Sequence, residues 1–489
     1  MTEALPPHGV PAERVLDELR ELRRADHPTH GGRLFAYVYD PGVDGLDTLA
    51  TEAYAISSSV NGLDPTAFPS LLTMENALVG AAARVLGAGP GTTAPEVVGS
   101  VTSGGTESLI LAVKAARDAH PSIAAPRLVA PVTAHAAFAK AAKYLGVTLD
   151  AVPVDPSTLR PDPAAVAASI TPDTVLVACS APSYAHGVID PVDEIAAIAA
   201  AAGVRCHVDA CFGGWTLPYL RRLGADIPPF DFAVPGVTSM SVDLHKYAYT
   251  PKGVSVLLHR DAALRAPQYF AFAGWPGYTM VNPVITSTRS GGPIAAAFAT
   301  LRHLGDEGYL RLAETTRDAV RGIADAVRAV DGLRLMAPPD TTVVCFTSEP
   351  GGPDLFVLAD ELTERGFHTQ PQMGYAGLPR SIHLTVTAAV APYVAEFVLA
   401  LGESAAAARA HGPVELPGHL LELVASLSAS TLTPDVVAGL AAGLGLGAGA
   451  SPLPARTAAV NTLLDAAPVP VRERLLAEFL SLLQRPTFD

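Results

Sequence analysis

The beginning of the chain carries apolar residues at the spacing of an amphipathic helix. They follow Pro11 and stand among Glu and Arg: Val15, Leu16, Leu19 and Leu22. This spacing predicts a helix that ends before Pro28, because three- and four-residue intervals place the apolar side chains on one face. The next forty residues are rich in Gly, Pro, Asp and Tyr and predict an irregular arm.

From about residue 98, short apolar runs alternate with helix-like segments. The runs are RLVAP (127–131), GVTLDAVPVD (146–155), DTVLVACSAP (173–182), GVRCHVDAC (203–211), VTSMSVD (237–243) and GVSVLLHR (253–260). This alternation is typical of βαβ units and predicts an α/β fold, with a largely parallel sheet covered by helices on both faces. Ligands of such sheets bind at the carboxyl ends of the strands, so functional residues are expected there.

A second cycle of helices and strands, between about 305 and 403, predicts a smaller C-terminal α/β domain. The low-complexity stretch AGLAAGLGLGAGASPLPA (438–455) separates it from a last amphipathic helix, VRERLLAEFLSLLQ (471–484). Four parts are therefore predicted: an N-terminal helix and arm (1–97), a large domain (98–304), a small domain (305–410) and a helical extension (411–489).

The charge balance of the 489-residue chain limits its partners. It has 33 Lys and Arg against 48 Asp and Glu, a formal net charge of -15, and it lacks a basic stretch, so nucleic acid is not an expected partner. No apolar run reaches the roughly 18–20 residues of a membrane span, and the N-terminal residues do not resemble an export signal. Four scattered cysteines fit a reducing compartment, and the cytoplasm is the expected location.

Lysine is rare in this chain, and its placement is informative. Two of only five lysines lie six positions apart in SVDLHKYAYTPKG (241–253), whereas the other 28 of the 33 basic residues are arginines. These two, Lys246 and Lys252, fall in a loop between two predicted strands. Lysine can form an imine with an aldehyde and arginine cannot, so Lys246 is a candidate for covalent binding of an aldehyde cofactor.

The stretch GSVTSGGTESLILAVKAARD (99–118) passes from a turn of small residues into a helix. Gly104 and Gly105 allow a ligand to approach the backbone closely, and the helix N-terminus favours an anion at Thr106 and Ser108. A phosphate fits this pattern. A glycine turn with Ser/Thr capping fits it equally well.

Asp209 and His135 are further candidates for ligand contact. Asp209 ends the apolar strand of HVDACFGG (207–214), where a buried carboxylate needs a cationic partner such as a protonated pyridine nitrogen, unless it caps the following glycine turn. His135 begins a helix in VTAHAAFAKAAKYLG (132–146), where its ring can stack on a planar ligand or merely cap the helix. A zinc site at 206–211 is not expected, because alternate strand residues face opposite sides.

Taken together, these motifs resemble the pyridoxal-phosphate enzymes of fold type I, the aspartate-aminotransferase fold, in the group II decarboxylase superfamily. The resemblance is strongest to the sphingosine-1-phosphate lyases and covers about residues 98–293. It rests on VTSGGTESLILAVKAARD, APVTAHAAFAKAA, HGVIDPV, HVDACFGG, GVTSMSVDLHKYAYTPKG and GWPGYTMVNPVITSTRSGG. It implies pyridoxal 5'-phosphate as the cofactor and a homodimer with active sites between the subunits.

The resemblance also implies a role for each matching residue. Lys246 forms a Schiff base with the cofactor, Asp209 pairs with the pyridine nitrogen, and His135 stacks on the ring. The residues expected around the cofactor phosphate are Gly104, Gly105, Thr106 and His245, with Ser287 or Thr288 reaching it from the other subunit.

The substrate-binding residues follow the lyase pattern only in part. Lys252 and Tyr39, in FAYVYDPG, match lyase residues that hold a substrate phosphate. A histidine belongs in the N-P-L-H-P-D-x-F-P arm of the lyases, but this chain reads NGLDPTAFPS (61–70) and has Asp64 at that position. A carboxylate repels a phosphate at short range. Lys252 can instead pair with Asp64, meet a different acidic group, or remain a solvated loop residue.

We therefore expect a lyase that breaks the Cα–Cβ bond of a phosphorylated or otherwise anionic β-hydroxy amine by retro-aldol chemistry and releases an aldehyde. Tyr249 or Lys252 is the expected base for the hydroxyl proton. The alternative is an amino-acid decarboxylase, which breaks Cα–COO⁻ with the same cofactor shell, and a transaldolase joining an aldehyde to glycine is a third variant. A non-catalytic binding protein of the same fold would tolerate Lys246→Ala.

Overall fold

The computed structural model describes residues 5–418 and 456–484, together with the single positions 432, 436 and 439. Its helices are α1 (Ala12–Leu22), α2 (Leu46–Ser57), α3 (Pro69–Val85), α4 (Gly105–Asp118), α5 (Ala137–Leu145), α6 (Pro163–Ser169), α7 (Val192–Ala201), α8 (Leu217–Arg222), α9 (Ala262–Arg265), α10 (Gly291–Ala329), α11 (Leu355–Glu364), α12 (Val394–His411), α13 (Ala458–Ala466) and α14 (Val469–Leu483). Its strands are β1 (Val98–Thr102), β2 (Arg127–Pro131), β3 (Thr148–Val152), β4 (Thr174–Ser180), β5 (Arg205–Asp209), β6 (Ser239–Asp243), β7 (Ser255–His259), β8 (Phe270–Phe272), β9 (Met280–Asn282), β10 (Leu333–Leu335), β11 (Val343–Ser348), β12 (Gln370–Gln372) and β13 (Ser381–Thr385).

The largest sheet has seven strands in the order β1-β7-β6-β5-β4-β2-β3. Strands β2 to β6 run parallel, whereas β7 is antiparallel to both of its neighbours, β1 and β6. The six apolar runs are confirmed as β2 to β7. The strand β1 was missed, because its small residues indicated only a turn.

Helices enclose this sheet on both faces. In β2, Leu128 and Ala130 belong to one apolar core with α4 and α5, while Val129 between them belongs to a second core with α3, α7 and α8. Every residue of β4, β6 and β7 is buried. Continuous apolar runs form such strands because both pleat faces are removed from water.

The smaller sheet is antiparallel throughout, in the order β10-β11-β13-β12. Its core contains five fully buried phenylalanines: Phe35, Phe346, Phe356, Phe367 and Phe397. Helix α10 leads from the large sheet to this one and is interrupted at Gly305, whose φ of +58° favours glycine. The predicted division near 304 coincides with that interruption.

The N-terminal region differs from its prediction. Helix α1 is present but has no buried residue. The expectation of an irregular arm is wrong over α2, which packs against α10 and buries Leu46 and Ala50. Its apolar spacing is weak, so the helix depends on this tertiary contact more than on a local pattern.

The C-terminal end contains α13 and α14, and the latter confirms the last amphipathic helix. The low-complexity stretch 438–455 lies outside the described residues except for position 439. Within the described part of the chain, one helical stretch, Ala388–His411, has the length and mean hydropathy of a membrane span, 24 residues and 1.3. Several of its side chains, among them Phe397 and Leu401, lie in the small-domain core, and core helices pass the same test.

Candidate active site

A cavity of about 420 Å³ opens at the carboxyl ends of the parallel strands. It is lined by residues from the start of α4 and from the loops after β2, β4, β5 and β6: Ser103, Gly104, Gly105, Thr106, Glu107, Leu109, His135, Pro182, Tyr184, Asp209, Cys211, Phe212, Asp243, His245 and Lys246. Seven of these were predicted from the sequence as cofactor-binding residues: Gly104, Gly105, Thr106, His135, Asp209, His245 and Lys246. The fold therefore brings together candidates that are up to 142 positions apart.

Lys246 lies in the turn after β6, with its side chain only 16 % exposed. Its Nζ is 2.9 Å from Oδ2 of Asp243, the last residue of β6. Burial acts to lower the pKa of Lys246, but attraction to the Asp243 carboxylate outweighs it and the pKa lies above its ordinary value. The amine is therefore held as an ammonium group facing the cavity.

Asp243 holds the Lys246 amine in place, and it was not predicted from the sequence. It is buried, accepts a hydrogen bond from Ser255 Oγ, and lies 3.6 Å from Nε2 of His245. Burial alone would raise its pKa, yet the charges of Lys246 and His245 lower it below the ordinary range. Asp209 was predicted because it is a carboxylate at the end of a buried strand. Asp243, in SVD, has the same position in its own strand and could have been predicted in the same way.

Asp209 ends β5, the strand adjacent to β6. It is 7 % exposed and its Oδ1 accepts hydrogen bonds from the Cys211 N–H at 3.1 Å and from Ser241 Oγ at 3.4 Å. These donors are neutral, and no ion pair of Asp209 is found among the described residues, so its carboxylate faces the cavity without a cationic partner there. This arrangement fits an acidic group that pairs with a protonated ring nitrogen.

The start of α4 forms the floor of the cavity near Asp243. A side chain at Gly105 would place its Cβ 2.7 Å from Cys211 Sγ and 2.8 Å from Asp243 Oδ2, so only glycine fits at this position. His245 Nδ1 is buried without a hydrogen-bond partner in the described part of the chain. Ser108, suggested as an anion contact, instead hydrogen-bonds Thr102 at 2.7 Å and does not line the cavity.

Glu107 connects this floor to a distant loop and was not predicted. Its carboxylate accepts the Ser103 N–H at 2.7 Å and the Ile285 N–H at 2.9 Å. It is the third residue of α4, where glutamate often caps a helix by reaching back to the chain before it. The sequence SGGTE shows this capping pattern, but nothing in the sequence indicates the contact with residue 285.

His135 lies just before the start of α5 and also lines the cavity, while its stacking on a ligand ring stays a prediction. Its Nδ1 accepts the Ala137 N–H at 3.1 Å, which caps α5 and fixes the ring, and the ring lines the cavity. Tyr184 stands edge-on to it with ring centroids 6.2 Å apart. Tyr184 was not predicted either, since its position depends on contacts with the small domain.

Lys252 and Tyr39 lie together beside the cavity. Lys252 Nζ is 5.0 Å from the centre of the Tyr39 ring, a cation–π distance. Desolvation and the charge of Lys246 lower the pKa of Lys252, so the two ammonium groups are close enough to affect each other. The predicted association of Lys252 with Tyr39 is thus present in the fold.

Asp64 does not join this group within one chain. It is exposed and accepts hydrogen bonds from the N–H and the Oγ1 of Thr66, at 2.8 Å and 2.7 Å, which lower its pKa. No described ion pair links it to Lys252, so the suggested pairing is absent within a single chain. The side chain of Asp64 instead stabilises the turn that contains Asp64 and Thr66.

Tyr249 is misplaced for the role of base, and that expectation is wrong for this structure. Its backbone is left-handed, with φ of +57°, and its side chain is buried beside Trp215 and Tyr309, away from the cavity-lining residues. Burial raises the pKa of Tyr249 to about 12, opposed by hydrogen bonds to Thr316 and the Ala388 backbone. A phenol so held does not readily accept a substrate proton.

Ser287 and Thr288 also lie outside the cavity of their own chain. Ser287 is exposed, and Thr288 Oγ1 donates to Asn61 Oδ1 at 3.2 Å. The loop is fixed to the arm by Arg289, whose guanidinium pairs with buried Glu75. Neither residue lines the cavity of its own chain, and their contact with the cofactor of another subunit stays a prediction.

The residues present fit pyridoxal phosphate at its aldehyde, its pyridine nitrogen, its ring face and its phosphate. Lys246 suits the aldehyde, Asp209 the pyridine nitrogen and His135 a ring face. The helix N-terminus at Gly105, with the unpartnered Nδ1 of His245 beside it, suits the phosphate.

Comparisons with known proteins agree with this fit. Residues 27–349 match the family model described as the pyridoxal-dependent decarboxylase conserved domain, and residues 418–482 match the pyridoxal-dependent enzyme C-terminal putative HTH domain. The sphingosine-1-phosphate lyase of Dictyostelium discoideum is 38% identical over 387 residues, which cover 78% of this chain and 70% of that protein.

Solved structures give the same result. The sphingosine-1-phosphate lyase of Burkholderia pseudomallei has a TM-score of 0.78 and 37% identity, covering 84% of this chain and 94% of that one. Glutamate decarboxylase of Lactobacillus brevis, at 19% identity and a TM-score of 0.74 over 85% and 96% of the two chains, shares the fold. The chain therefore has the type I fold of pyridoxal-phosphate enzymes and belongs to the pyridoxal-dependent decarboxylase family, as a lyase that uses pyridoxal 5'-phosphate.

Proposed function

We propose that this enzyme cleaves the Cα–Cβ bond of a phosphorylated or otherwise anionic β-hydroxy amine and releases an aldehyde. The observation that carries the proposal is the second lysine, Lys252, whose Nζ lies 5.0 Å from the centre of the Tyr39 ring, in the loop that also carries Lys246. Lys246 lines the cavity and Lys252 lies in the same loop outside its lining, so a second basic side chain is available to attract a substrate with an anionic group. The lyase relatives are named for a phosphorylated substrate.

The described side chains divide the chemistry between them. When bound, pyridoxal phosphate supplies an electron sink for the electron pair of the broken bond. Lys246 binds the cofactor aldehyde carbon, and the Asp209 carboxylate keeps a proton on the pyridine nitrogen. His135, fixed through its Nδ1, holds one face of the ring, while Tyr184 narrows the cavity beside it. With Tyr249 turned away, Lys252 is the remaining candidate of the two proposed for accepting the hydroxyl proton. This role requires its neutral amine, a form that the lowered pKa of Lys252 favours.

Product analysis tests this proposal directly. Incubation with a phosphorylated amino alcohol is expected to yield an aldehyde that mass spectrometry identifies. Lys252→Ala is expected to lower kcat/KM for this substrate by about 10- to 100-fold, the effect of losing a hydrogen bond to a charged group. Asp64→His is expected to raise it by placing a phosphate donor at the site of a second subunit, because Asp64 lies outside the cavity of its own chain.

Lys143→Ala provides the matched control for the loss of a lysine, since Lys143 is exposed on α5. It is expected to leave kcat/KM unchanged. Release of carbon dioxide from a panel of amino acids, with no aldehyde from the amino alcohol, would refute the proposed reaction.

That second result defines the alternative function, an amino-acid decarboxylase. The observation in its favour is Asp64, a carboxylate at the position where the lyase pattern has a histidine. An acidic side chain there disfavours a phosphate and accommodates a cationic or neutral substrate group. The cofactor-binding residues serve either reaction equally, so only the product distinguishes them.

We also propose that the enzyme is a homodimer of the cytoplasm with a site shared between subunits. Four aromatic side chains from the β8–β9 hairpin form an exposed aromatic patch: Phe270, Phe272, Trp275 and Tyr278, each between 41% and 51% exposed. Exposed apolar clusters of this kind mark protein contacts. The loop that carries Ser287 and Thr288 follows this hairpin directly, and the four buried free cysteines fit a reducing compartment.

The double variant Phe270→Asp, Phe272→Asp is expected to be monomeric in light scattering and to bind pyridoxal phosphate more weakly. Charges in the aromatic patch would have to be buried without partners when two chains associate. Tyr144→Asp, which changes an aromatic residue 66% exposed on α5, is expected to remain dimeric. A wild-type monomer with full cofactor affinity would contradict the shared site.

A further inference from the structure

The C-terminal helices α13 and α14 have a composition unsuited to nucleic acid. The region that matches the putative HTH domain, residues 418–482, contains three arginines and five acidic residues. Two of the arginines are engaged within the protein: Arg456 pairs with Glu361, and Arg472 donates to the Leu464 carbonyl at the end of α13. The third, Arg474, pairs with Glu478. A phosphate-binding surface is therefore not present on the described helices.

These helices instead attach to the small domain at two points. At the start of α13, the Thr457 and Ala458 N–H groups donate to Asp360 of α11 at 2.8 Å and 3.0 Å. At its other end, Asp465 accepts the Gly374 N–H at 2.9 Å through Oδ1, and the Arg380 guanidinium at 2.5 Å through Oδ2. The Asp360 contact holds α13 on the small domain. The Asp465 contact connects α13 to a hairpin of that domain.

The hairpin joins β12 to β13, and Asp465 binds one residue on each of its arms. Gly374 follows β12, and Arg380 precedes β13. A turn at Tyr375–Leu378 closes the loop between them. One carboxylate therefore clamps the two arms together and fixes the position of β12.

Strand β12 in turn holds a loop of the large domain that lines the active-site cavity. Gln370 Oε1 accepts the Tyr184 hydroxyl at 2.7 Å, and Gln372 Nε2 donates to the Ala185 carbonyl at 2.8 Å. His383, opposite Gln370 in the register, stacks on the Tyr184 ring with centroids 4.6 Å apart. Tyr184 thus has its ring in the cavity and its hydroxyl on the small domain.

We propose that Asp465 is a positioning residue for the active site, acting from the C-terminal helices through the β12–β13 hairpin on Tyr184. The link runs in series from α13 to the cavity wall: hydrogen bonds at each end are joined by the hairpin itself, and His383 adds a ring contact with Tyr184. Among the described residues, Arg380 otherwise has Asp354 at 3.6 Å, which already caps α11, and the Phe356 ring at 4.8 Å. Loss of Asp465 therefore frees one arm of the hairpin.

Hydrogen exchange on the cofactor-loaded, full-length protein tests the link. In Asp465→Ala, faster exchange is expected at residues 182–188, where the Ser183 and Gly187 N–H groups are bonded within the Tyr184 loop. Asp465→Asn retains an acceptor for Gly374 and loses the charge facing Arg380, so an intermediate rate is expected. Arg456→Ala, which breaks the ion pairs at the opposite end of α13, is expected to leave this loop unchanged.

Kinetics provide the second measurement and rest on the proposed function. With the phosphorylated amino alcohol, Asp465→Ala is expected to lower kcat/KM by up to about 100-fold, the cost of a misplaced active-site group. In a Tyr184→Phe background the same change is expected to have little further effect, because both act on one contact.

Equal exchange at residues 182–188 in Asp465→Ala, Arg456→Ala and wild type would overturn the inference, and so would equal acceleration in both variants. The exchange result does not depend on which substrate is cleaved. It therefore remains decisive even where the amino alcohol yields no aldehyde, which would refute the proposed reaction alone.

Discussion

Lys246→Ala is expected to eliminate covalent cofactor binding and to lower kcat by about 10⁴- to 10⁶-fold, the range found when a catalytic nucleophile is removed. The described residues place no other lysine on the cavity wall, and an arginine cannot form the imine. The measurement is borohydride reduction of the holoenzyme followed by peptide mass spectrometry. The wild-type adduct is expected on the peptide that contains Lys246.

Two further variants separate the covalent role from the charge. Lys246→Arg keeps a cation beside Asp243, so it is expected to retain most of the stability while losing the adduct. Lys252→Ala removes the other lysine of the same loop and is expected to keep the adduct on Lys246. An adduct on any other residue, or a Lys246→Ala enzyme with wild-type turnover, would refute covalent binding at this position.

The cofactor-binding residues could be predicted because each has a local signal. Lys246 lies between two apolar runs, Asp209 ends a third, and Gly105 begins a clear helix. The ends of parallel strands converge on one edge of a sheet, so local signals of this kind also predict which residues meet. The order of the strands and the antiparallel direction of β7 carry no such signal, because they depend on how the whole sheet pairs.

The errors have identifiable physical reasons. Tyr249 is three residues from Lys246, but its left-handed backbone turns the side chain into the protein interior. Helix α2 was missed because its stability comes from packing on α10. Glu107, Gln370 and Asp465 have roles that depend on contacts with residues 178, 186 and 85 or more positions away. The periodicity of the sequence does not indicate contacts between residues so far apart in the chain.

The two strand-end carboxylates of the site have different electrostatic surroundings. Asp243 is matched by the ammonium group of Lys246 at 2.9 Å and lies near His245. Asp209, one strand away, is hydrogen-bonded by neutral donors and faces the cavity. Asp243 therefore neutralises the charge of Lys246, a group of the protein itself. Asp209 is available to pair with a positive charge on a ligand.

Asp243→Asn is consequently expected to destabilise the cofactor-free protein far more than Asp209→Asn. Removing one partner of a buried ion pair costs about 3–5 kcal/mol, and less if Lys246 gives up its proton. Asparagine is isosteric with aspartate and keeps an acceptor for Ser255, so the change isolates the charge. The measurement is the free energy of unfolding in urea at neutral pH, after the cofactor has been removed.

The pH dependence of this difference provides the stricter test. The pKa of Asp243 is lowered in the fold, so its contribution is present above about pH 3.9 and disappears as the pH falls through the folded value. The pKa of Lys246 is raised, so its contribution is present below about pH 10.4 and disappears as the pH rises through the folded value. The stability difference between wild type and Asp243→Asn is therefore expected to be largest between about pH 4 and 10 and to shrink in acid. A difference that is equal at pH 3 and pH 7, or an Asp209→Asn variant destabilised as strongly, would show that the buried pair is not the cause.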